Sequence, residues 1–210
     1  DLMKLAAMEG LYKGGNDQPL TIIAGINPFQ QPDFEATDEP PLKLAVPYAL
    51  SFLATNDMNG YVPGIRDILE GYTKEDGTCE PSLEQKMESG RTAINAIAEY
   101  RKAKAEGADA EVLSTHLSTI NANIPYLGYG YVSDRAQVVP YIPVCFYAFR
   151  VMVGGGCLFV LLFVLMLWNP FQKNEKWKKA LLWLAVICIP ISYIVSEAGW
   201  LVAEFGRQPW

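Results

Sequence analysis

Glu197, Trp200, Glu204 and Arg207 are spaced three, four and three residues apart in SEAGWLVAEFGRQPW, the last stretch of the sequence. That spacing puts all four on one face of a helix in an otherwise apolar segment. Two readings are open. Aromatic and charged residues anchor the ends of membrane spans at the lipid headgroups, which accounts for Arg207 and Trp210. It leaves Glu197, about two turns deeper, in need of a proton or a partner. Alternatively Glu204 ligates or neutralises something cationic while Arg207 meets something anionic.

A metal porphyrin supplies both, with iron for the carboxylate and propionates for the guanidinium. A second motif, FRVMVGGG, offers the thioether of Met152 beside Gly154, Gly155 and Gly156. Methionine is a soft iron ligand, and three glycines let a flat macrocycle or another helix approach the backbone. Arg150 lies about 200° around the helix from Met152, so it would reach a propionate or ring edge from the side. The competing reading is a core methionine beside a glycine cluster that packs helices together.

These residues sit on two apolar stretches. Residues 144–168 contain one charge, Arg150, and residues 180–203 contain one, Glu197. Each exceeds the roughly 20 residues needed to cross a bilayer core as a helix. The loop at 169–179 carries Lys173, Lys176, Lys178 and Lys179, which places it on the cytoplasmic side by the positive-inside rule. Residues 1–140 then lie on the outer side. They hold 20 of the 23 acidic residues, a balance that argues against nucleic acid. A water-soluble enzyme is excluded by the two apolar spans.

Cys79, Cys145, Cys157 and Cys188 form no CxxC pair, and three of them lie in apolar surroundings, so no zinc site or disulfide framework is expected. His116, the only histidine, sits in a polar stretch and reads as exposed and structural. No signal peptide is visible and the first residue is Asp1, as expected for a piece of a longer polypeptide.

Within the outer region, Leu2 to Lys13 reads as a short helix ended by Gly14 and Gly15. Residues 14–41 read as an irregular loop in which TIIAGI can be extended. LKLAVPYALSFLATN (42–56) is expected to pack as a helix against the membrane part, and VPGIRDILEGY to form another, with Pro63 near its start. Ser82 to Glu106, with Ser82 and Gln85 as a capped start, is the longest outer helix, and Ala108 to Asn123 its antiparallel return.

Taken together, EAGWLVAEFGRQPW, FYAFRVMVG, KLAAME, LGYG and VPYALSFLATNDMNGYVPGIRDIL resemble subunit I of cytochrome bd quinol oxidase, along essentially the whole chain. The resemblance implies an all-α helical membrane protein fragment. Its parts are an outer quinol-binding loop domain (1–140) and a transmembrane hairpin (141–210) in the bacterial inner membrane. The implied activity is respiratory: quinol is oxidised on the outer side, dioxygen is reduced to water and a proton motive force is generated. The implied cofactors are a low-spin heme b, a high-spin heme b and heme d, with ubiquinol or menaquinol as substrate. Met152 matches the low-spin heme ligand and Arg150 the arginine that favours its reduced form. Glu204 matches the high-spin heme ligand, with Arg207 and Trp200 adjoining the oxygen-reducing centre. Lys4 and Glu9 match the quinol-oxidising pair. Partners implied are subunit II, a small accessory subunit, the N-terminal part of subunit I that brings the histidine ligands, and lipid. Without those histidines the fragment alone is expected to be inactive. The alternative from the residues alone is a two-span protein whose outer helical domain binds a small ligand or a partner without redox chemistry.

Overall fold

The computed structural model describes residues 2–36, 39–74, 76–171 and 174–207. Met3, Ala6 and Ala7 place one apolar face on helix α1 (Leu2–Glu9), which packs into the main core. The chain then turns through Leu11 and Tyr12, whose carbonyls accept the Ile65 and Arg66 amides that open α3 (Ile65–Glu70). Asp67 fixes the same junction, accepting hydrogen bonds from Gly14 N (2.6 Å) and Gly64 N (2.8 Å).

Between α1 and α3, β1 (Leu20–Ile23) pairs antiparallel with β2 (Leu44–Val46), Thr21 opposite Ala45. The expected helix over 42–56 is therefore mostly wrong. Only α2 (Ala49–Thr55) is helical, because Pro47 and the left-handed Tyr48 (φ 63°) separate it from the strand. α2 docks on the β1 side of this lobe, its Leu50 and Ser51 amides bonded to the Gln18 carbonyl. A second small ribbon pairs β3 (Tyr72–Thr73) with β4 (Cys79–Glu80).

Helix α4 (Leu83–Ala105) starts with the expected capping box, Ser82 and Gln85 each bonding the other's amide. α5 (Ala110–Asn123) returns along it, and a 3₁₀ segment (Ile124–Tyr131) containing LGYG folds against α4. His116 is half-buried there, its Nδ1 3.6 Å from Glu99 Oε2, and so is less exposed than its polar setting suggests.

The spans are longer than their apolar cores. α6 (Ile142–Trp168) and α7 (Glu175–Phe205) have 27 and 31 residues, about 40 and 46 Å at 1.5 Å per residue. The basic loop expected over 169–179 is correspondingly shorter. Asn174 caps α7, so Lys176, Lys178 and Lys179 ride on its opening turns; Lys173 lies outside the described residues. The helices are antiparallel: Ala148 packs near Ala198 and Val202 at one end, Leu162 near Leu181 and Cys188 at the other. At the middle a Cβ on Gly155 would overlap Val195, so this glycine sets the close approach.

The main core crosses residue 140. Ile142, Cys145 and Phe146 of α6 are buried among Tyr12, Ile26, Val132 and Val139 of the N-terminal lobe. Gln31 locks this join, donating to Pro140 O (3.1 Å) and accepting from Ile142 N (3.0 Å).

At the α4 contact a Cβ on Gly90 would overlap the Gly130 backbone. Gly90→Ala is expected to separate α4 from the 3₁₀ segment and destabilise the lobe by about 1–3 kcal/mol. Faster proteolysis within 124–131 and a lowered melting temperature are the readouts.

Candidate functional site

Glu9 ends α1 and is 2% exposed, which is unusual for a carboxylate. Its Oε2 accepts the Thr21 amide of β1 (3.1 Å) and faces Arg150 Nη2 of α6 (3.3 Å). Arg150 is the more fully committed partner. Its Nε donates to Ile22 O (3.2 Å), and Nη1 to Met8 O (2.6 Å) and Phe146 O (3.0 Å). Nη2 donates to Thr21 O (2.6 Å) as well as to Glu9. All five guanidinium N–H groups therefore have acceptors. The guanidinium carbon also lies 3.4 Å above the Phe146 ring.

The sequence dictates this geometry through three elements. The i, i+4 relation of Phe146 and Arg150 brings the ring beneath the cation. The carbonyl of Met8, one residue from the end of α1, has no partner within so short a helix and is free to take the guanidinium. At the irregular step between Thr21 and Ile23, strand β1 offers two consecutive carbonyls, Thr21 O and Ile22 O, to the guanidinium. Tyr147 extends the same seam, donating from its hydroxyl to Ile26 O (2.6 Å).

Burial pushes the Glu9 carboxyl above its ordinary value of 4.5, opposed by Arg150, the Thr21 amide and Lys43. The site thus sets a buried carboxylate against a guanidinium whose N–H groups are all engaged.

The structure separates Glu9 from Lys4, although both lie on α1. Lys4 runs along the far end of α7, where its Cγ would stand 2.7 Å from a Cβ on Gly206. The glycine of GRQPW is thus the space through which the lysine stem passes. Met152 faces the other way from Arg150, into the interhelical contact with Ala148, Ala198 and Val202. Its sulfur would be 3.2 Å from a Cβ on Gly199, so the glycine of EAGW accommodates the thioether. Gly154 and Gly156 open onto unfilled space.

The polar stripe lies opposite the interhelical contact. With about 100° per residue, Glu197, Trp200, Glu204 and Arg207 centre on the face away from Ala198 and Val202. Glu204 is half-buried, Glu197 and Arg207 are exposed, and Trp200 is 57% exposed. Gln208 and Trp210 lie outside the described residues.

Among the described residues no group of three or more His, Cys, Asp or Glu side chains is placed to hold a bare metal ion. A porphyrin iron needs less, because the macrocycle supplies four nitrogens and the protein only axial bonds. A single thioether and a single carboxylate on separate helices fit that chemistry, as does the open ground at Gly156, one turn from Met152.

Sequence reasoning missed the Glu9–Arg150 pairing and the parts played by Thr21, Phe146, Gly199 and Gly206. The last two stood in quoted motifs, but only the packing shows what they make room for. Thr21 and Ile22 contribute mainly backbone groups, for which no side-chain pattern exists.

A two-helix membrane hairpin, locked to a helical lobe by a buried carboxylate–guanidinium pair, defines a membrane protein that holds charge where the spans emerge. More narrowly, the chain belongs to the cytochrome bd terminal oxidase subunit I family, whose description matches residues 1–210. It is 27% identical over 210 residues to the cytochrome bd-II ubiquinol oxidase subunit 1 of Escherichia coli (strain K12), covering 99% of this chain and 39% of that protein. It is 26% identical over 212 residues to the cytochrome bd ubiquinol oxidase subunit 1 of Bacillus subtilis (strain 168), covering 99% of this chain and 31% of that one. A putative cytochrome bd menaquinol oxidase subunit I of the same organism is 36% identical over 63 residues, covering 30% of this chain and 14% of that protein. The chain thus spans well under half the length of these relatives.

Arg150→Leu leaves Glu9 buried without its cation and is expected to destabilise the protein by about 3–5 kcal/mol at alkaline pH. The sign follows from linkage. Losing the cation raises the folded-state pKa of Glu9 further above 4.5, so the penalty applies above that pKa and fades as pH falls toward 4.5. Melting curves in detergent should show the deficit shrinking on acidification, and adding Glu9→Gln should remove that pH dependence.

Proposed function

We propose that this chain is the quinol-oxidising loop and heme-bearing hairpin of a respiratory terminal oxidase. The full enzyme would couple quinol oxidation to dioxygen reduction, two quinols and one dioxygen giving two quinones and two waters. The observation that carries the reading is the junction of Glu9, Arg150 and β1. There a buried, proton-accepting carboxylate from one family motif meets the fixed cation of another, one turn of helix or less from Met152.

In this reading residues 1–140 face the outside of the bacterial inner membrane and 141–210 form the hairpin. Glu9 accepts a proton as quinol is oxidised, which requires a base near its working pH; burial moves the carboxyl in that direction. Lys4 orients or polarises a quinol oxygen from the α7 side. Met152 would hold a low-spin heme b and Glu204 a high-spin heme b, with Trp200 and Arg207 adjoining the oxygen-reducing centre that the high-spin heme b and heme d would form. When bound, these groups supply one-electron transfer and dioxygen reduction. Arg150, with every N–H already engaged, acts on the low-spin heme as a fixed positive charge that favours its reduced form. The exposed stripe on α7 and the missing histidine ligands fit a chain that is completed by the rest of subunit I, by subunit II and by a small accessory subunit.

The test is a reduced-minus-oxidised visible spectrum of membranes holding the full-length subunit with its partner. Met152→Leu should selectively remove or shift the low-spin heme b band. Glu204→Ala should alter the high-spin signal and leave the low-spin band in place. Unchanged bands in both variants at normal expression would make the two residues structural, and would favour a redox-inactive binding protein.

A further inference from the structure

Gly206 follows the last residue of α7, a place where glycine is common because the chain there often turns left-handed. Here it does not. Gly206 has φ −79° and ψ 0°, a negative-φ conformation that other residues also adopt, and its amide continues the helical pattern by bonding Val202 O (3.0 Å). What excludes a side chain is space. Gly206 is buried, and a Cβ on it would stand 2.7 Å from Lys4 Cγ and 2.8 Å from Lys4 Cδ, as well as 2.7 Å from Val202 O of its own helix. Carbon atoms in contact settle about 3.5–4.0 Å apart, so any larger residue must displace the lysine stem.

Lys4 is not the only residue of α1 that meets this part of α7. Met8, one turn further along, packs into the cluster of Ala148, Ala198 and Val202 that also holds Met152. Lys4 and Met8 are four residues apart, and so are Gly206 and Val202. A ridge of α1 therefore lies against one row of α7, with the lysine at the position where that row has no side chain. The half-buried Lys4 stem crosses the last turn of α7, the end of a helix that favours a cation.

We propose that Gly206 is a positioning residue for quinol oxidation: by carrying no side chain it sets the path of the Lys4 stem, and with it the point at which the ammonium meets a quinol oxygen. The inference rests on the proposed role of Lys4 as the group that orients the quinol. It gives the glycine of GRQPW a task on the substrate side of the enzyme, distinct from the proposed place of Arg207 at the oxygen-reducing centre. Positioning of this kind is sensitive, since a misplacement of about 1 Å can cost a factor of about 10². A contact already made to bound quinol is lost first from KM.

The experiment measures oxidase kinetics with a short-chain ubiquinol or menaquinol, whichever wild type oxidises faster, in the full-length subunit assembled with its partner. Wild type, Gly206→Ala, Lys4→Ala and the double variant are compared, with the heme spectrum recorded for each. Gly206→Ala should raise KM roughly 5–20-fold, with little change in kcat and none in the heme bands. In the Lys4→Ala background, where the stem ends at Cβ, the same substitution should leave KM where Lys4→Ala put it. An unchanged KM in Gly206→Ala, equal increases in both backgrounds, or a loss confined to kcat and the heme bands would overturn the proposal, leaving the glycine to serve the end of α7. Should Gly206→Ala fail to assemble, the double variant decides: recovered heme bands support the packing of Lys4 on Gly206, and continued failure overturns it. If Lys4→Ala alone keeps the wild-type KM, it is the assignment of Lys4 to quinol that fails, and the inference falls with it.

Discussion

The N-terminal lobe and the hairpin are set in register by one expensive interaction. Burying a carboxylate and a guanidinium costs each its hydration, and their mutual attraction repays that only when the remaining donors and acceptors are satisfied. Here they are: Arg150 gives all five N–H groups to Glu9 and to four carbonyls, from Met8, Thr21, Ile22 and Phe146. Those carbonyls belong to three different elements, so the arrangement exists only when α1, β1 and α6 are all in place. The pair adds little net stability compared with an apolar filling; what it fixes is register between a loop and a span. The apolar core around Phe146, Ile142 and Tyr12 supplies the burial that stabilises the join.

The hairpin below this junction is organised by small residues. Gly155 lets α7 approach through Val195, and Gly199 leaves room for the Met152 sulfur. Without a hydrophobic drive between helices in lipid, such close packing is what holds two spans together. The consequence is a strict division of faces. Met152 points inward toward α7, Arg150 points toward the lobe, and the stripe of Glu197, Trp200, Glu204 and Arg207 turns outward. Glu204 is half-buried on a face whose Glu197, Trp200 and Arg207 are exposed.

The two spans, the capped α4 and its return helix were legible because each follows from a local pattern: apolar length, a Ser82–Gln85 box, or helical periodicity. The 42–56 segment was not. Its apolar content suits a helix or a strand equally, and Pro47 with Tyr48 in a left-handed conformation decides between them. Single site residues were legible through their motifs, but their grouping was not. Lys4 and Glu9 share a helix and a proposed role, yet their side chains leave α1 about 140° apart and reach different spans. Arg150 and Glu9 are 141 positions apart and meet because backbone carbonyls, invisible to any residue pattern, form the socket.

The central claim is that Glu9 and Arg150 work as one electrostatic unit beside the low-spin heme of the proposed enzyme. A redox titration of that heme near neutral pH tests it, in the assembled full-length protein carrying Glu9→Gln in two backgrounds, wild type and Arg150→Leu. With the arginine present the carboxyl is held toward its ionised form, so removing it should raise the midpoint potential. Without the arginine burial acts on the carboxyl unopposed by that cation and favours its neutral form, so the same substitution should shift the potential less. A shift of equal size in both backgrounds would mean that the two residues act independently, and would contradict the account.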